Sequence, residues 1–305
     1  MGHKTLAAAA AVGLGLLAGC SSISSTSAAA PASTAGTSTA TASSSAQASG
    51  SASAASCSNA SIQSELYAKG ALTVATDTPA YPPWFVNNKP ANGQGYESAV
   101  AYAVAKQLGF TAAQVRWVVE PFDSSYAPGP KNFDFDINEI SYTSARAKVV
   151  SFSVSYFDVT QALVALKGTP IVKKHSPADL RGYVYGDQIG TTSLAYIESE
   201  LRPTKQPQVF TTLNDVKSAL QAHRIDAFVT DTPTAQYIAS SEIPHSLVVG
   251  QFPSTGEHYG LLFHKGDPLV ACVNQALGAM RADGTLAALA KRYLQIYEQV
   301  PTIKP

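Results

Sequence analysis

The sequence is poor in the residues and motifs on which many enzymes and metal proteins depend. It has three cysteines and six histidines in 305 residues, and no two histidines lie four positions apart. This composition argues against a disulfide-dense scaffold, a Cys-rich zinc protein and a helical His-His zinc site. A Walker A loop, a G-x-G-x-x-G motif and a G-x-S-x-G elbow are also absent. We therefore expect no catalytic set, no metal and no cofactor.

Net charge and long apolar runs are missing as well. The 21 Lys+Arg balance 21 Asp+Glu, whereas nucleic-acid-binding domains usually carry a basic stripe. We therefore expect no nucleic-acid partner. No apolar run reaches the roughly 18 to 20 residues of a membrane-spanning helix. Apolar residues still make up 45% of the chain, which is enough for a core.

The first 56 residues contain no Asp or Glu and one basic side chain, Lys4. Residues 6–17 form an apolar run that is too short to span a bilayer and is typical of a signal peptide, here 1–19. Leu17-Ala18-Gly19-Cys20 resembles a bacterial lipobox, in which the cysteine is lipid-modified and becomes the mature N-terminus. The alternative is an ordinary secretory signal with a chance cysteine.

Residues 20–56 are predicted to be a lipidated cysteine followed by a disordered tether. In residues 21–56, 31 of the 36 side chains are Ser, Thr or Ala, and none is charged. Such a segment buries too little apolar surface to offset its ordering entropy. A lipid on Cys20 would hold the protein in the cell envelope, at the outer face of the cytoplasmic membrane, without a spanning helix.

Residues 57–305 carry a net charge of −1 and alternate strand and helix patterns. Apolar and alternating runs predict strands that include 71–76, 115–119, 134–140, 162–166, 225–230 and 259–264. Helical spacing of apolar residues predicts helices that include 96–108, 213–223 and 268–281. This alternation indicates an α/β fold of open sheets in two lobes, and a cleft between lobes is a common place for a small ligand.

Six short blocks then resemble one family when they are taken in order. They are L-T-V-A-T-D with Y-P-P-W (72–77, 81–84), G-Y-E-S-A-V (95–100), I-S-Y-T-S-A-R with F-S-V-S-Y (140–146, 152–156), I-G-T-T (189–192), I-D-A-F-V-T-D (225–231) and A-D-G-T-L (282–286). They are similar to the type 2 periplasmic solute-binding proteins of amino-acid ABC transporters, the bacterial extracellular solute-binding proteins of family 3.

The resemblance implies two lobes joined by two hinge crossings. Lobe 1 would be discontinuous, with residues 57–161 and 257–305, and lobe 2 would be residues 162–256. It also implies a monomer that binds an amino acid between the lobes, closes by hinge motion, and delivers the ligand to a membrane permease with its ATPase.

Four residues are expected to hold the ligand's amino and carboxyl groups. Arg146 supplies a planar fork for the carboxylate; the alternative is an arginine paired with a neighbouring acid. Thr191 and Thr192 stand at a strand-to-helix turn that favours an anion, although plain helix capping is also possible. Asp231 ends an apolar strand and would meet the ammonium group; the alternative is a cap for the next helix.

Five further residues are candidates for the rest of the site. Tyr81 and Trp84 are expected to form the wall around the ligand side chain, with packing inside a lobe as the alternative. Ser141 resembles a family position that meets the ligand with hydroxyl or backbone groups; the alternative is packing away from the ligand. The segment after Asp77 is one residue longer than the commonest family form, and Glu139 stands where the family often has a small or amide residue. Whether Asp77 and Glu139 face the cleft stays open.

Two conclusions depend on this resemblance. With Cys20 lipidated, Cys57 and Cys272 would be paired as a disulfide, because the family topology returns the C-terminal helices to lobe 1. Asp77 and Glu139 would leave the cleft with excess negative charge, which predicts a polar or cationic amino acid as ligand. An enzyme on the same scaffold, similar to cyclohexadienyl dehydratase, and a binding-only sensor are the alternatives.

Overall fold

The computed structural model describes residues 57–295 and 300–304. The predicted signal peptide (1–19), the lipidation site at Cys20 and the tether up to residue 56 lie outside the described residues. Within the described part, no helix is long and apolar enough to cross a membrane.

The described residues form strands β1 (Leu72–Thr76), β2 (Val115–Val119), β3 (Phe135–Asp136), β4 (Ser151–Asp158), β5 (Gln161–Leu166), β6 (Gly186–Gln188), β7 (Gln208–Phe210), β8 (Ala227–Asp231), β9 (Ser246–Gln251) and β10 (His258–Phe263). They form helices α1 (Tyr96–Gln107), α2 (Phe122–Ser125), α3 (Pro177–Leu180), α4 (Thr192–Tyr196), α5 (Leu213–Gln221), α6 (Thr232–Tyr237), α7 (Leu269–Ala282) and α8 (Thr285–Tyr293). One π-helical turn extends α4 over Ile197–Leu201, and another extends α6 over Ile238–Glu242.

The first lobe is built on a five-stranded sheet of order β2-β1-β3-β10-β4. Strand β1 runs parallel to β2 and β3, and β10 runs antiparallel to β3 and β4. All five residues of β1 are buried, as expected for a central strand covered on both faces. Helices α1, α7 and α8 supply apolar side chains to the same core.

The second lobe contains a three-stranded antiparallel sheet of order β8-β5-β9 and a parallel pair, β6 and β7. A single bridge between Tyr185 and Ala227 links the strand that leads into β6 with β8. Helices α5 and α6 pack on one side of this arrangement, around Val216, Phe228 and Ala235. The fold is therefore α/β with two lobes, as predicted.

The chain passes from the first lobe to the second between β4 and β5, and returns between β9 and β10. The C-terminal tail reaches the second lobe again. The Gln251 N–H donates to the Pro301 carbonyl at 2.8 Å, and the Ile303 N–H donates to the Gln251 carbonyl at 2.7 Å. Ile303 is 1% exposed in the second-lobe core. The range 257–305, expected to lie wholly in lobe 1, thus has its last described residues on the second lobe.

Glycine at position 250 makes room for this tail. A Cβ there would lie 2.8 Å from Cγ1 of Ile303 and 2.9 Å from the Pro301 carbonyl oxygen. Burial of the isoleucine side chain is the driving force for the contact, and no periodic pattern in five residues would have predicted it.

The predicted disulfide between Cys57 and Cys272 is confirmed. Their Cα atoms are 5.2 Å apart, and the two cysteines are separated by 215 positions, a geometry within the usual range for a disulfide. The bond attaches the first described residue to α7, and so joins the two segments of the discontinuous first lobe.

The strand predicted over 134–140 is shorter than expected. Pairing stops at Asp136, and Glu139 adopts a φ of 52°, which no strand accommodates. The end of β3 therefore turns toward the space between the lobes, where its polar side chains become available.

Candidate functional site

A cavity lies between the two lobes. The first lobe lines it with loops that follow β1 and β3, and the second lobe with residues of β6, α4, α5, β8 and α6. Six of the nine predicted ligand-binding residues line it: Asp77, Tyr81, Glu139, Thr191, Thr192 and Asp231. The structure therefore brings together most of the set that the resemblance implied.

Arg146 lies beside the cavity and is 8% exposed. Its Nη1 donates to the Ser141 carbonyl at 2.7 Å, and its Nη2 donates to the Gly190 carbonyl at 2.9 Å. The guanidinium carbon is 4.5 Å from the Tyr126 ring centroid. Arg146 therefore bridges the lobes. Three of its five N–H donors remain beyond those two carbonyls, and the Tyr126 hydroxyl also accepts a hydrogen bond from the guanidinium. Its contact with a ligand carboxylate stays a prediction.

Ser141 is buried behind the cavity rather than exposed in it. Its side chain is 1% exposed and donates to Glu257 Oε1 at 2.6 Å. The Thr192 hydroxyl, from the second lobe, lies 3.5 Å from Ser141 Oγ. Ser141 thus contacts both Arg146, through its carbonyl, and Glu257, through its hydroxyl. Its contact with a ligand, through hydroxyl or backbone groups, stays a prediction.

The two threonines of the turn before α4 differ in their roles. The Thr191 hydroxyl accepts from the Leu194 N–H at 3.0 Å and donates to the Gln188 carbonyl at 2.8 Å. It is therefore the N-cap of α4, which was the alternative considered for it. Thr192 is the first residue of the helix and lines the cavity.

Asp231 ends β8 and stands at the N-cap position of α6, but its side chain makes no capping hydrogen bond. The capping alternative is therefore wrong for this residue. Its Oδ1 accepts from Gln161 Nε2 at 2.6 Å. Burial, together with the nearby Glu257 carboxyl, raises the pKa of Asp231 to about 7. A cationic group in the cavity would favour its ionised form.

Trp84 is not a wall of the cavity, and this prediction needs correction. The indole is fully buried and packs edge-on against Tyr96, Phe157 and Tyr259 of the first lobe. Its Nε1 donates to Thr234 Oγ1 of the second lobe at 2.7 Å. The sequence could not distinguish a tryptophan that contacts the ligand from one that packs in the core. Here the large apolar surface of Trp84 is buried in the first-lobe core.

The Glu97 carboxyl is buried behind Glu139, which lines the cavity. The Glu139 N–H donates to Glu97 Oε1 at 2.7 Å, and the Thr234 hydroxyl donates to Glu139 Oε2 at 2.8 Å. The Tyr156 hydroxyl also donates to Glu97. Burial raises the pKa of Glu97 to about 8, although the hydrogen bond from Tyr156 acts to lower it. Burial and then the Glu97 carboxyl raise the pKa of Glu139 well above its usual value.

Asp77 and Glu139 both face the cavity, which resolves the question left open by the sequence. Asp77 Oδ1 accepts from the Thr78 N–H at 2.6 Å, and burial raises its pKa. Sequence reasoning missed a fourth carboxyl, Asp187, which also lines the cavity and is 2% exposed. The signal was available, because Asp187 interrupts an apolar strand just before the Gly190 turn.

The charges of the lining are one-sided. The side chains that line the cavity include four carboxyls, Asp77, Glu139, Asp187 and Asp231, and among the described residues no lysine or arginine lines it. Within that same described part, no group of three or more His, Cys, Asp or Glu side chains is arranged to hold a metal ion. The arrangement suits a small ligand that carries a carboxylate for Arg146 and positive charge elsewhere.

The family model described as bacterial extracellular solute-binding proteins, family 3, matches residues 72–296. The chain belongs to this family. The matched residues include every predicted ligand-binding residue and most of both lobes. The family match is therefore consistent with the two-lobed fold.

Known relatives of this family member bind amino acids. The L-cystine-binding protein TcyJ of Escherichia coli (strain K12) is 28% identical over 245 residues, which cover 77% of this chain and 87% of the relative. The lysine/arginine/ornithine-binding periplasmic protein of the same strain is 27% identical over 230 residues, 72% and 86% of the two chains. The ancestral amino acid-binding protein AncCDT-1, a precursor of cyclohexadienyl dehydratase, is 29% identical with a TM-score of 0.63, over 78% of this chain and 99% of that chain.

Proposed function

We propose that this family 3 protein is the substrate-binding component of an amino-acid ABC importer, and that it holds a polar or cationic amino acid between its lobes. The observation that carries the ligand class is the cavity lining, with four carboxyls and no basic side chain among the described residues. The relatives named for cystine and for lysine, arginine and ornithine support the same class.

A charge count gives the physical reason. Arg146 would pair with the ligand carboxylate, and Asp231 with the ligand ammonium group. Asp77, Glu139 and Asp187 then remain. They accept hydrogen bonds, but a carboxylate withdrawn from water without a cationic partner is costly. A positively charged or hydrogen-bond-donating side chain on the ligand lowers that cost, and the Tyr81 ring beside it adds apolar contact.

A thermal-shift screen of the wild-type protein tests this assignment. The panel contains the twenty amino acids, ornithine and cystine, and each hit is then titrated by calorimetry. We expect arginine, lysine, ornithine, histidine, glutamine or cystine to raise the melting temperature most. Tight binding of aspartate or glutamate, with none of those six bound, would show that the charge count is wrong.

Binding without chemistry is the second part of the proposal. The dehydratase precursor among the structural neighbours is itself named an amino acid-binding protein. We expect the ligand found in the screen to be recovered unchanged after prolonged incubation with the protein, as followed by proton NMR. Conversion at a rate proportional to protein concentration would instead favour the enzyme alternative.

The anchor and the delivery partners complete the proposal. A lipid on Cys20 would keep the protein, as a monomer, at the outer face of the cytoplasmic membrane, where it meets a permease with its ATPase. Metabolic labelling with a fatty acid, followed by fractionation, tests the anchor. We expect label and protein in the membrane fraction, and release of the Cys20→Ala protein from it.

A further inference from the structure

Lys217 is buried although it lies on a surface helix. It is the fifth residue of α5 and is 9% exposed, whereas Asn214 and Ser218 on the same helix are exposed. Lysine is seldom buried unless it is paired. The apolar face of α5, which includes Val216 and Leu220, packs into the second-lobe core. Something outside that core therefore covers Lys217.

The covering group belongs to the other lobe. The Lys217 ammonium lies 4.8 Å from the centroid of the Tyr81 ring, which is a cation–π distance. It also lies 2.8 Å from Oε2 of Glu242, in the second lobe. Tyr81 follows β1 in the first lobe, so the contact spans the two lobes and exists only when they are close together.

The position of this contact relates it to the cavity. Tyr81 and Leu213 both line the cavity. Lys217 follows Leu213 by four residues and so lies on the same face of α5, one turn further on. Lys217 and Glu242 line the neighbouring surface groove instead. Tyr81 thus borders the cavity while its ring is held by an ammonium group that belongs to the groove outside.

We propose that Lys217 is a positioning residue that holds Tyr81 as a wall of the closed cavity and thereby slows ligand release. The proposal rests on the proposed function. In the second lobe, Glu242 forms an ion pair with the Lys217 ammonium. In the first lobe, the Tyr81 ring lies against the same ammonium. Because both partners are partly withdrawn from water, the cation–π contact is stronger than on an open surface. Opening of the lobes must break it.

Stopped-flow measurements of ligand association and dissociation test this role. Lys217→Met keeps the length and apolar stem of the side chain and removes its charge. We expect the dissociation rate to rise about 3- to 30-fold, the range that corresponds to a partly desolvated cation–π contact, with little change in the association rate. Lys217→Arg keeps a cation over the ring and should restore slow dissociation. Lys205→Met, at an exposed lysine of the same lobe, is the matched control and should behave as wild type.

A double variant separates the Tyr81 contact from the ion pair with Glu242. In a Tyr81→Leu background, Lys217→Met should add little to the dissociation rate, because the ring is already gone. A dissociation rate within twofold of wild type for Lys217→Met alone would overturn the proposal. So would an equal rise in the two backgrounds, which would assign the effect to Glu242.

A ligand-free measurement keeps this proposal distinct from the proposed function. If the wild-type protein binds no amino acid, the function is wrong, and the lobe contact is then judged by small-angle scattering. We expect the Lys217→Met protein to have a larger radius of gyration than wild type and Lys205→Met, because its lobes open more often. An unchanged radius in that case would overturn the role of Lys217.

Discussion

Arg146 and Gly190 join the two lobes directly, because Nη2 of the arginine donates to the glycine carbonyl at 2.9 Å. The same turn meets Tyr126, whose hydroxyl lies 3.5 Å from the Gly190 carbonyl oxygen. The Tyr126 ring in turn lies 4.5 Å from the Arg146 guanidinium. The glycine that opens the Thr191 turn is therefore part of the contact surface between the lobes.

The Gly190→Ala variant should lose ligand affinity. A Cβ at this position would lie 2.2 Å from the Tyr126 hydroxyl oxygen, and the residue has a φ of 76°. A left-handed alanine costs about 1–2 kcal/mol, which should lower stability, and displacement of Tyr126 should disturb Arg146 and weaken binding further. Titration calorimetry and thermal unfolding measure the two effects.

Gly182→Ala is the matched control for this substitution. Gly182 is also in the second lobe, but it lacks a positive φ and a Cβ there would meet nothing within 4 Å. It should leave affinity and stability near those of wild type. Wild-type affinity in the Gly190→Ala protein would mean that the lobes do not close as they do here.

Removal of the Arg146 guanidinium should abolish ligand binding. Arg146→Ala removes the proposed carboxylate partner, and loss of a buried charge partner costs roughly 2–5 kcal/mol of affinity. It also leaves the Ser141 and Gly190 carbonyls without this donor, so a moderate fall in melting temperature should accompany it. Arg116→Ala, at an exposed arginine of the first lobe, should bind normally. Near-normal affinity of Arg146→Ala would assign the residue to lobe contact alone.

Sequence reasoning succeeded where a local pattern carried the information. Apolar residues spaced by four predicted α1, which the structure places at Tyr96–Gln107. The resemblance brought Cys57 near Cys272, and the bond between them is present. Strand β9 (Ser246–Gln251), which pairs with β5, was missed although its Leu247-Val248-Val249 run is apolar and rich in β-branched residues.

The parts of the site that escaped prediction depend on contacts between distant segments. Trp84 and Tyr81 belong to one motif, yet Trp84 is buried in the first-lobe core and Tyr81 lines the cavity. Nothing local separates these two environments. In the sequence, Lys217 looks like an ordinary surface lysine, because its contact with Tyr81 comes from the other lobe. Such contacts become visible only when both lobes are in place.

Loss of the Cys57–Cys272 disulfide should lower stability without changing ligand specificity. The bond closes a loop across 215 positions, and removal of a native disulfide costs roughly 2–5 kcal/mol. Cys272, on α7, lies in the first-lobe core, and the partly buried Cys57 packs against it. Urea unfolding of a Cys57→Ala, Cys272→Ala double variant measures the loss.

Reduced wild-type protein is the control for that measurement, because it keeps the sulfur atoms and their packing. It should unfold at a urea concentration close to that of the double variant. Ligand selectivity in the screen should be the same with and without the bond. An oxidised and a reduced protein with equal midpoints would show that the bond contributes no net stability.

The stability of the ligand-free protein should fall as the pH rises from about 5 to 8. Burial raises the pKa of Glu97 to about 8 and that of Asp231 to about 7. A carboxyl with a raised pKa in the folded state binds more protons there than in the unfolded state, between its two pKa values. Linkage then makes the free energy of unfolding decrease with pH in that window. Urea unfolding at pH 5, 6, 7 and 8 measures it.

Affinity for a cationic ligand should change in the opposite direction. A positive charge in the cavity favours ionised Asp231 and Glu139, so binding expels their protons, and the dissociation constant should fall as the pH rises from 5 to 8. Calorimetry in buffers of different ionisation enthalpy should detect the released protons. Glu139→Gln removes one titrating group and should release fewer of them. Binding that takes up protons, or that is independent of pH across this window, would mean that these carboxyls do not face the ligand's charge.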